Sequence, residues 1–375
     1  MNYLIPILPL KIDVETKTVL RQLSATHRKL AELKGIALTI PNENILINTL
    51  VLQEAKDSSA VENIVTTHDD LYKADVEIKN FAISASTKEV LNYAEAMKYG
   101  FILIRNDKLL TNNIIKDVQR MLENNTAGFR SVSGTTLKNH LGEIVYTPPQ
   151  EKNIIEKYME NLQEFINNDF VSDLDPLVKM AIIHQQFESI HPFYDGNGRT
   201  GRIINILYLV IKGMLDLPIL YLSRYIISNK AEYYKRIQAV RDNDEWEEWI
   251  LFILKGIEET AGNTILQIKG ISALMLDFKH KIRPLLGRAY RHELLNNLFS
   301  HPYTKIDFLR RSMDISRPTA TKYLNILAEN NLLTKVAAGR NNYYVNVHLC
   351  NLLINSIPQK SVEISEQIES IHESK

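Results

Sequence analysis

Hydrophobic residues recur three to four positions apart along most of the chain, which is the spacing that gathers them on one face of a helix. In the first such segment, Val19, Leu23 and Leu30 share a face with Leu20. The pattern predicts helices over residues 13–34, 36–52, 57–66, 87–99, 107–123, 150–168, 174–190, 199–213, 229–241 and 245–270. Only 14 glycines and 12 prolines interrupt these segments, so the chain is predicted to be mainly α.

Residues 128–149 depart from this helical pattern. Two short runs of mixed polar and β-branched residues, 128–134 and 143–146, flank Asn139 and Gly142, and Pro148-Pro149 follows. Turn residues between two such runs are typical of a β-hairpin. We therefore predict a hairpin in this region.

The pattern changes again after residue 285. Residues 288–300 and 304–312 are predicted to be helical, and a third helix is predicted to begin after Ser316 as N-cap, with Pro318 in its first turn. Two extended runs follow, at 332–337 and 342–347. Three short helices and a hairpin predict a small C-terminal winged helix-turn-helix domain.

The predicted organisation has four parts. They are an N-terminal helical arm at 1–86, a catalytic core at 87–270, the winged-helix domain at 271–350 and a polar tail at 351–375. The apolar N-terminus has no basic start and contains two prolines, so it is predicted to be a packed arm and not a signal peptide.

Composition limits the protein class without naming a partner. Lys+Arg and Asp+Glu both number 44, and the single cysteine, Cys350, excludes an intrachain disulfide and fits a reducing compartment. No apolar run approaches the roughly 20 residues of a membrane helix. A cytoplasmic protein with no membrane partner is the expectation.

Residues 191–202 concentrate groups suited to phosphate chemistry. His191 can be a neutral base near pH 7, and Asp195 is a hard oxygen ligand suited to Mg²⁺. Gly196 and Gly198 let the backbone approach a ligand closely, at the start of a helix whose free N–H groups attract anions. Two arginines follow in the same helix. This combination predicts phosphoryl or nucleotidyl transfer.

The same segment resembles the signature of the Fic family of protein adenylyltransferases. Residues 184–190 resemble the helix that precedes this signature in the family. Every fixed position is matched, namely His191, Pro192, Phe193, Asp195, Gly196, Asn197, Gly198, Arg199 and Arg202. More loosely, the likeness extends over residues 1–270. It implies a Fic-type helical bundle with a β-hairpin flap.

The resemblance implies a role for each residue of the site. His191 would deprotonate a Ser, Thr or Tyr hydroxyl of a protein target, which would then attack the α-phosphorus of ATP, while Asp195 holds Mg²⁺. Arg199 would bind the β-phosphate region and Arg202 the γ-phosphate. Other implied ATP-binding residues are Glu62, Gly196, Asn197, Gly198, Thr200, Gly201, Tyr233 and Tyr234. For the two tyrosines, simple helix packing is an alternative.

The hairpin resembles the family's flap, at about 131–146, where a target segment docks as an added strand. Gly134, Thr135 and Thr136 are expected near the docking edge, although an ordinary surface hairpin is the alternative. The target could be the chain itself, because a mobile hydroxyl of the same molecule has a high effective concentration.

Residues 58–63 resemble the inhibitory motif of self-restrained Fic proteins that carry the inhibitor before the core. Ser58 and Glu62 are four positions apart, so they share a helix face, and Asn63 completes the motif. Glu62 would pair with Arg202 and block the γ-phosphate. In the alternative interpretation, Ser59 and Glu62 form a capping box at a helix start. In some relatives the inhibitory glutamate also supports removal of AMP.

Residues 287–348 contain nine Lys/Arg and four Asp/Glu, a net charge of +5. A basic winged helix indicates DNA, with Arg317, Thr319, Thr321 and Lys322 on the recognition helix and Arg340 on the wing. Such modules also serve in protein docking or homodimerisation. A DNA-binding regulator that uses its core as a nucleotide sensor, or a transferase with another donor, remains the alternative function.

Overall fold

Helices make up most of the fold, as the hydrophobic spacing predicts. The computed structural model describes residues 4–75, 83–139, 141–338 and 341–355. Ahead of the C-terminal region its helices are α1 (Lys17–Ala37), α2 (Glu43–Val61), α3 (His68–Asp75), α4 (Ala85–Asp107), α5 (Asn112–Glu123), α6 (Lys152–Asn167), α7 (Pro176–Ile190), α8 (Asn197–Ile211), α9 (Ser223–Ser228), α10 (Lys230–Asn243) and α11 (Trp246–Leu286).

Helices α7 and α8 pack against each other at the centre of the bundle. Asp175 caps α7 by accepting from the N–H of Leu177, and Pro176 occupies the first turn, where no N–H is needed. Nearly every side chain of α7 and most of α8 are buried. Helices buried on all sides belong to the core of a large domain. The loop between them, residues 191–196, is therefore fixed by the core.

Helix α2 is a single continuous helix that ends at Val61, with Glu62 as its C-cap residue. The separate helical piece predicted over 57–66 is wrong, because residues 57–61 form the last turn of α2. The capping-box alternative is also wrong, since Ser59 and Glu62 lie at the end of a helix and not at its start. Asn63 follows with a positive φ of 64°, a conformation that asparagine tolerates well after a helix.

The predicted hairpin is present but short. Strands β1 (Leu137–Lys138) and β2 (Ile144–Tyr146) pair antiparallel, with Leu137 opposite Tyr146. The Tyr146 hydroxyl donates to the Ser189 carbonyl at 2.8 Å, which fixes β2 to the end of α7. This contact holds the hairpin beside the loop at 191–196.

The C-terminal region contains the three predicted helices and two strands, together with one strand and one helix that were not predicted. In chain order these are α12 (His292–Ser300), β3 (Tyr303–Lys305), α13 (Ile306–Met313), α14 (Arg317–Glu329), β4 (Thr334–Ala338), β5 (Asn341–Val345) and α15 (Val347–Asn355). The antiparallel sheet has the order β3-β5-β4. As predicted, Ser316 caps α14, accepting from the N–H of Thr319. Arg340 and residues 356–375 lie outside the described residues.

The boundaries predicted at residues 86, 270 and 350 each fall inside a helix. Helix α11 runs for 41 residues, from the core into the C-terminal region, and α15 packs back against it. The Gln53 amide in α2 donates to the Leu353 carbonyl at 3.2 Å. The two regions therefore share buried contacts, which hydrophobic spacing alone does not reveal. Within the described ranges, no helix combines the length and hydropathy needed to cross a bilayer.

Candidate active site

The segment at 191–196 forms a tight turn between α7 and α8. His191 ends α7 in the left-handed conformation, with φ of 49°, and its N–H donates to the Phe187 carbonyl. Gly196 is the N-cap residue of α8 and is also left-handed. The side-chain amide of Asn197 bridges the backbone N–H and carbonyl of Phe193, at 2.9 and 2.8 Å. Asn197 therefore shapes the turn through its side chain.

His191 lies in a setting that keeps its imidazole neutral. Burial lowers the pKa of His191 to about 4, and the positive charges of Arg130 and Arg241 act in the same direction. A histidine with this pKa is unprotonated at neutral pH and can accept a proton. The geometry thus agrees with a base at this position.

Arg202 is buried, and its hydrogen bonds to described residues go to Ser58 in the last turn of α2 and to the C-cap residue Glu62. Its Nε donates to the Ser58 hydroxyl at 2.8 Å, and its Nη2 donates to the Ser58 carbonyl at 3.0 Å and to Glu62 Oε1 at 2.8 Å. Burial favours the neutral form of Glu62, but the charge and hydrogen bond of Arg202 outweigh it and lower the pKa of Glu62. The pair is consequently ionised at neutral pH. The structure therefore brings together the two residues that the sequence paired.

The Glu62 carboxylate also lies against the first turn of α8. A Cβ atom built on Gly198 would collide with Glu62 Oε1. Only glycine leaves room for an anionic group this close to the backbone, at the positive end of a helix. Asn63 is held beside it by Lys230, whose Nζ donates to the Asn63 side chain at 2.8 Å. Glu62 thus occupies the anion-binding end of α8.

Arg199 has a separate set of acidic partners. Its Nη2 lies 2.8 Å from Glu123 Oε1, at the end of α5, and its Nη1 lies 3.3 Å from Glu89 Oε2 in α4. Burial raises the pKa of Glu123, an effect that Arg199 opposes and Asp195 reinforces. The Glu123 carboxylate fills the space beside Gly196. Both arginines of the motif therefore have carboxylate partners.

Asp195 is exposed at the outer side of the turn. One carboxylate oxygen accepts from the Gly196 N–H at 2.7 Å, and the backbone carbonyl accepts from Gln119 at 3.3 Å. Among the described residues, no three His, Cys, Asp or Glu side chains are grouped as a metal cage. A single exposed carboxylate is nevertheless compatible with Mg²⁺, which takes substrate phosphates and water as its remaining ligands.

Four other residues predicted to bind ATP differ in their burial and in their contacts. Gly201 packs against α7, where an added Cβ would lie 3.0 Å from Glu188 Oε1, and Thr200 is fully buried. Tyr233 is buried, with its hydroxyl 2.8 Å from His184 Nε2. Tyr234 is 44% exposed, so it is the more accessible of the two tyrosines.

Gly134, Thr135 and Thr136 precede β1 on the exposed side of the hairpin. The Gly134 N–H donates to the Gln150 side chain at 2.6 Å, and the Gln150 amide donates to the Thr135 carbonyl at 3.0 Å. The backbone of the predicted docking edge is therefore partly occupied by Gln150. The hydroxyl oxygen of Tyr194 accepts from the N–H groups of Ser131 and Val132, which ties the hairpin to the turn.

Several residues that the sequence did not indicate complete the site. Glu89 and Glu123 reach Arg199 from two other helices, and Gln150 and Tyr194 secure the hairpin. Arg130 is buried and donates from Nε to the His191 carbonyl at 2.8 Å. The only sequence signal for Arg130 was an arginine in an otherwise turn-like stretch, Gly128-Phe129-Arg130. Its partner, the His191 carbonyl, becomes evident only in the fold.

Three family models match this chain. "Fic/DOC family N-terminal" covers residues 20–102, "Fic/DOC family" covers 109–209, and "Protein adenylyltransferase SoFic-like, C-terminal domain" covers 274–349. Together the matched residues include the last turn of α2, the turn at 191–196 and most of the C-terminal region.

Curated relatives match over part of their length. Protein adenylyltransferase fic-1 of Caenorhabditis elegans is 28% identical over 99 residues, 26% of this chain and 18% of that protein. Protein adenylyltransferase Fic of Nematostella vectensis is 25% identical over 218 residues, 57% of this chain and 48% of that protein. The chain thus spans less than half the length of these relatives.

Solved structures share the fold. A Fic family protein from Desulfovibrio desulfuricans G20 aligns with a TM-score of 0.57 at 18% identity, over 90% of this chain and 97% of that one. Fic-1 of C. elegans aligns with a TM-score of 0.53 at 18% identity, over 67% and 73% of the two chains. At these identities the likeness concerns the fold alone, and it extends into the C-terminal region for the first structure.

Proposed function

This chain belongs to the Fic family, and we propose that it is an adenylyltransferase that moves AMP from ATP to a Ser, Thr or Tyr hydroxyl of a protein. The observation that carries the proposal is the arrangement of His191, Asp195 and Arg202 around the start of α8. It provides a neutral base, a metal carboxylate and a cationic, N–H-lined anion site within one turn. Phosphoryl and nucleotidyl transfer both use such a combination, and the family favours transfer of AMP.

The reaction requires one proton transfer and one exchange at phosphorus. The hydroxyl proton passes to the His191 imidazole, the oxygen bonds to the α-phosphorus, and the bond from that phosphorus to the bridging oxygen breaks to release pyrophosphate. A Mg²⁺ ion held by Asp195 would neutralise phosphate charge when bound. The protein's own contribution is alignment and charge, as is usual for such transfers.

We further propose roles for the groups that hold the substrates. Gly196 lines the anion site, where the backbone N–H groups of Asn197 and Gly198 bind phosphate oxygens. Arg202 binds the γ-phosphate and Arg199 the β-phosphate region. Tyr234 contacts the nucleoside, because it is exposed where Tyr233 is buried. The target adds to the hairpin near β1, the flap of this site, and could be another segment of the same chain.

Autoinhibition is part of the proposal. Glu62 takes the guanidinium that the γ-phosphate would need and adds a negative charge at the same helix end. ATP that binds beside it would be misaligned for in-line attack. The contact between Glu62 and Arg202 supports this role, and the tight hold of Ser58 on Arg202 strengthens it.

The position of the label in ATP tests the transfer itself. With the Glu62→Gly variant and Mg²⁺, ATP labelled on the α-phosphorus should label protein, whereas ATP labelled on the γ-phosphorus should not. Label from the γ-position would indicate a phosphoryl transfer and contradict the proposal. An excess of unlabelled UTP in parallel samples reports whether the base of the donor matters.

DNA binding is a second candidate function, for the C-terminal region. The observation that favours it is a surface groove along α14, to which Arg317, Thr321, Lys322 and Asn325 contribute. Exposed cations on a helix that follows a short turn are suited to phosphates and base edges. Asp307 pairs with Arg317 at 3.0 Å, so Lys322 carries more of the available charge.

A further inference from the structure

Arg130 is a fully buried cation at the root of the flap. Its side chain is 0% exposed, and it forms no ion pair with any carboxylate among the residues that the structure describes. An arginine placed this way costs free energy unless its donors are used. The groups that accept hydrogen bonds from this guanidinium therefore indicate why it is buried here.

The guanidinium of Arg130 donates to three backbone carbonyls. Nε donates to His191 at 2.8 Å, and Nη2 donates to Ile190 at 3.4 Å and, at close range, to Pro149. The Arg130 N–H itself donates to the Pro192 carbonyl at 2.8 Å. These partners span the catalytic turn on one side and the far end of the flap on the other.

The two pieces joined by Arg130 are those that the reaction must bring into register. The flap leaves the core at Arg130 and returns at Pro149, so the guanidinium closes the base of the flap. His191 has a left-handed backbone, a conformation that costs a non-glycine residue free energy and must be held by its surroundings. The hydrogen bond that Arg130 donates to the His191 carbonyl is one such restraint.

We propose that Arg130 is a positioning residue that fixes the backbone of His191 and joins it to both ends of the flap. A hydroxyl docked on the flap is thereby presented to the imidazole at a set distance. This inference rests on the proposed AMP transfer, because it assigns the flap and His191 to docking and proton removal. It adds a residue to which neither the motif nor the inhibitory contact assigns a role.

The position of Arg130 also has an electrostatic consequence for His191. Burial lowers the pKa of His191 most, and the charges of Arg130 and Arg241 lower it further, while Glu62 and a bond to the Glu188 backbone raise it. Removing the charge of Arg130 should therefore raise the pKa of His191 toward its ordinary value. Replacing it with lysine keeps the charge but loses the planar fork that reaches several carbonyls.

The test compares Arg130→Met and Arg130→Lys with their parent, all carrying Glu62→Gly. Titration of the His191 imidazole by NMR gives its pKa, and hydrogen exchange of residues 131–138 reports on the flap root. Neither readout requires activity. Arg120→Met is the matched control, because Arg120 is an exposed arginine of α5 that pairs with Asp117. Thermal melting identifies variants that remain folded.

Arg130→Met should raise the His191 pKa and speed exchange in the flap, whereas Arg130→Lys should speed exchange with little change in the pKa. Arg120→Met should alter neither. In the transfer assay, kcat/KM for a protein target should fall about 100-fold with Arg130→Met, the loss expected from a misplacement of roughly 1 Å. KM for ATP should change little.

A folded Arg130→Met variant with the parent's His191 pKa and flap exchange would overturn the inference. If that variant does not fold, parental flap exchange in Arg130→Lys would overturn it equally. A parent protein that transfers no AMP contradicts the proposed function instead, and the titration and exchange measurements still decide the role of Arg130.

Discussion

Arg202 Nη2 and Glu62 Oε1 lie 2.8 Å apart, although the two residues are 140 positions apart in the chain. The contact joins the C-terminal end of α2 to α8. Because Arg202 is buried, release of Glu62 would leave an uncompensated cation suited to a phosphate. In the proposed autoinhibition, the ion pair with Glu62 therefore keeps Arg202 charged and in place for the γ-phosphate.

Ser58 should contribute to this restraint. Ser58→Ala removes the hydroxyl that accepts from Arg202 Nε, and hydrogen bonds to charged groups contribute about 1.5–3 kcal/mol. AMP transfer should therefore rise roughly tenfold above that of the unmodified protein. Ser59→Ala is the control, because Ser59 is equally buried but its hydroxyl has no partner among the described residues. Equal rates in the two variants would argue against a role for Ser58.

Tyr233 and Tyr234 should behave differently when altered. Tyr233→Phe leaves the buried His184 Nε2 without its partner, so the free energy of unfolding should fall by about 1–3 kcal/mol. Tyr234→Ala should leave unfolding nearly unchanged but raise KM for ATP, since its ring is exposed. Denaturant unfolding and ATP kinetics of both variants separate the effects. The reverse result would assign the nucleoside contact to Tyr233.

Glu54 should make stability depend on pH. This buried carboxyl lies on α2, four residues before Ser58, where it accepts from Ser223 and Tyr93, and burial raises its pKa to about 7. Between its unfolded pKa near 4.5 and about 7, the folded state binds the extra proton, so stability is lost as pH rises through that window.

The corresponding variant is Glu54→Gln, which does not titrate. Between pH 5 and pH 8, the free energy of unfolding should decrease by up to about 3 kcal/mol more in the parent than in Glu54→Gln. Urea unfolding at both pH values measures the difference. Parallel pH profiles for the two proteins would mean that Glu54 is already ionised at pH 5.

DNA binding by the C-terminal region should depend on Lys322. Lys322→Ala should weaken binding to duplex DNA and lower the slope of log K against log salt by about one, as expected for one lost phosphate contact. Lys281→Ala, on α11, is the control because that lysine is exposed and paired with Asp277. Mobility shifts at low and moderate salt make the comparison. Absence of any shift at low salt would favour a protein-docking role for the region.

The sequence was most informative where function depends on local spacing. His191, Asp195 and the two arginines follow one another within a single turn and the start of a helix, so their proximity could be predicted directly. The pairing of Glu62 with Arg202 was predicted from a motif, although the helix that presents Glu62 begins at Glu43 and not near residue 57. Helical spacing identifies a face but places the ends of a helix poorly.

Contacts that depend on tertiary packing could not be predicted in this way. Glu123 and Arg130 reach the site from α5 and the flap root, and each looks like an ordinary surface residue in the sequence. Similarly, α11 continues past residue 270. The hydrophobic pattern there fits one long helix as well as a helix and a linker, so this continuation could not be predicted. These features are decided by neighbours that are distant in the chain.

The most direct test of the account compares AMP incorporation by four proteins incubated with ATP and Mg²⁺, measured by intact-mass spectrometry with a protein acceptor present. They are the unmodified chain, Glu62→Gly, Glu62→Gln and Glu62→Gly combined with His191→Ala. The account predicts little incorporation by the unmodified chain, a large increase in both single variants and none in the double variant. Equal incorporation with and without Glu62, or undiminished incorporation without His191, would contradict it.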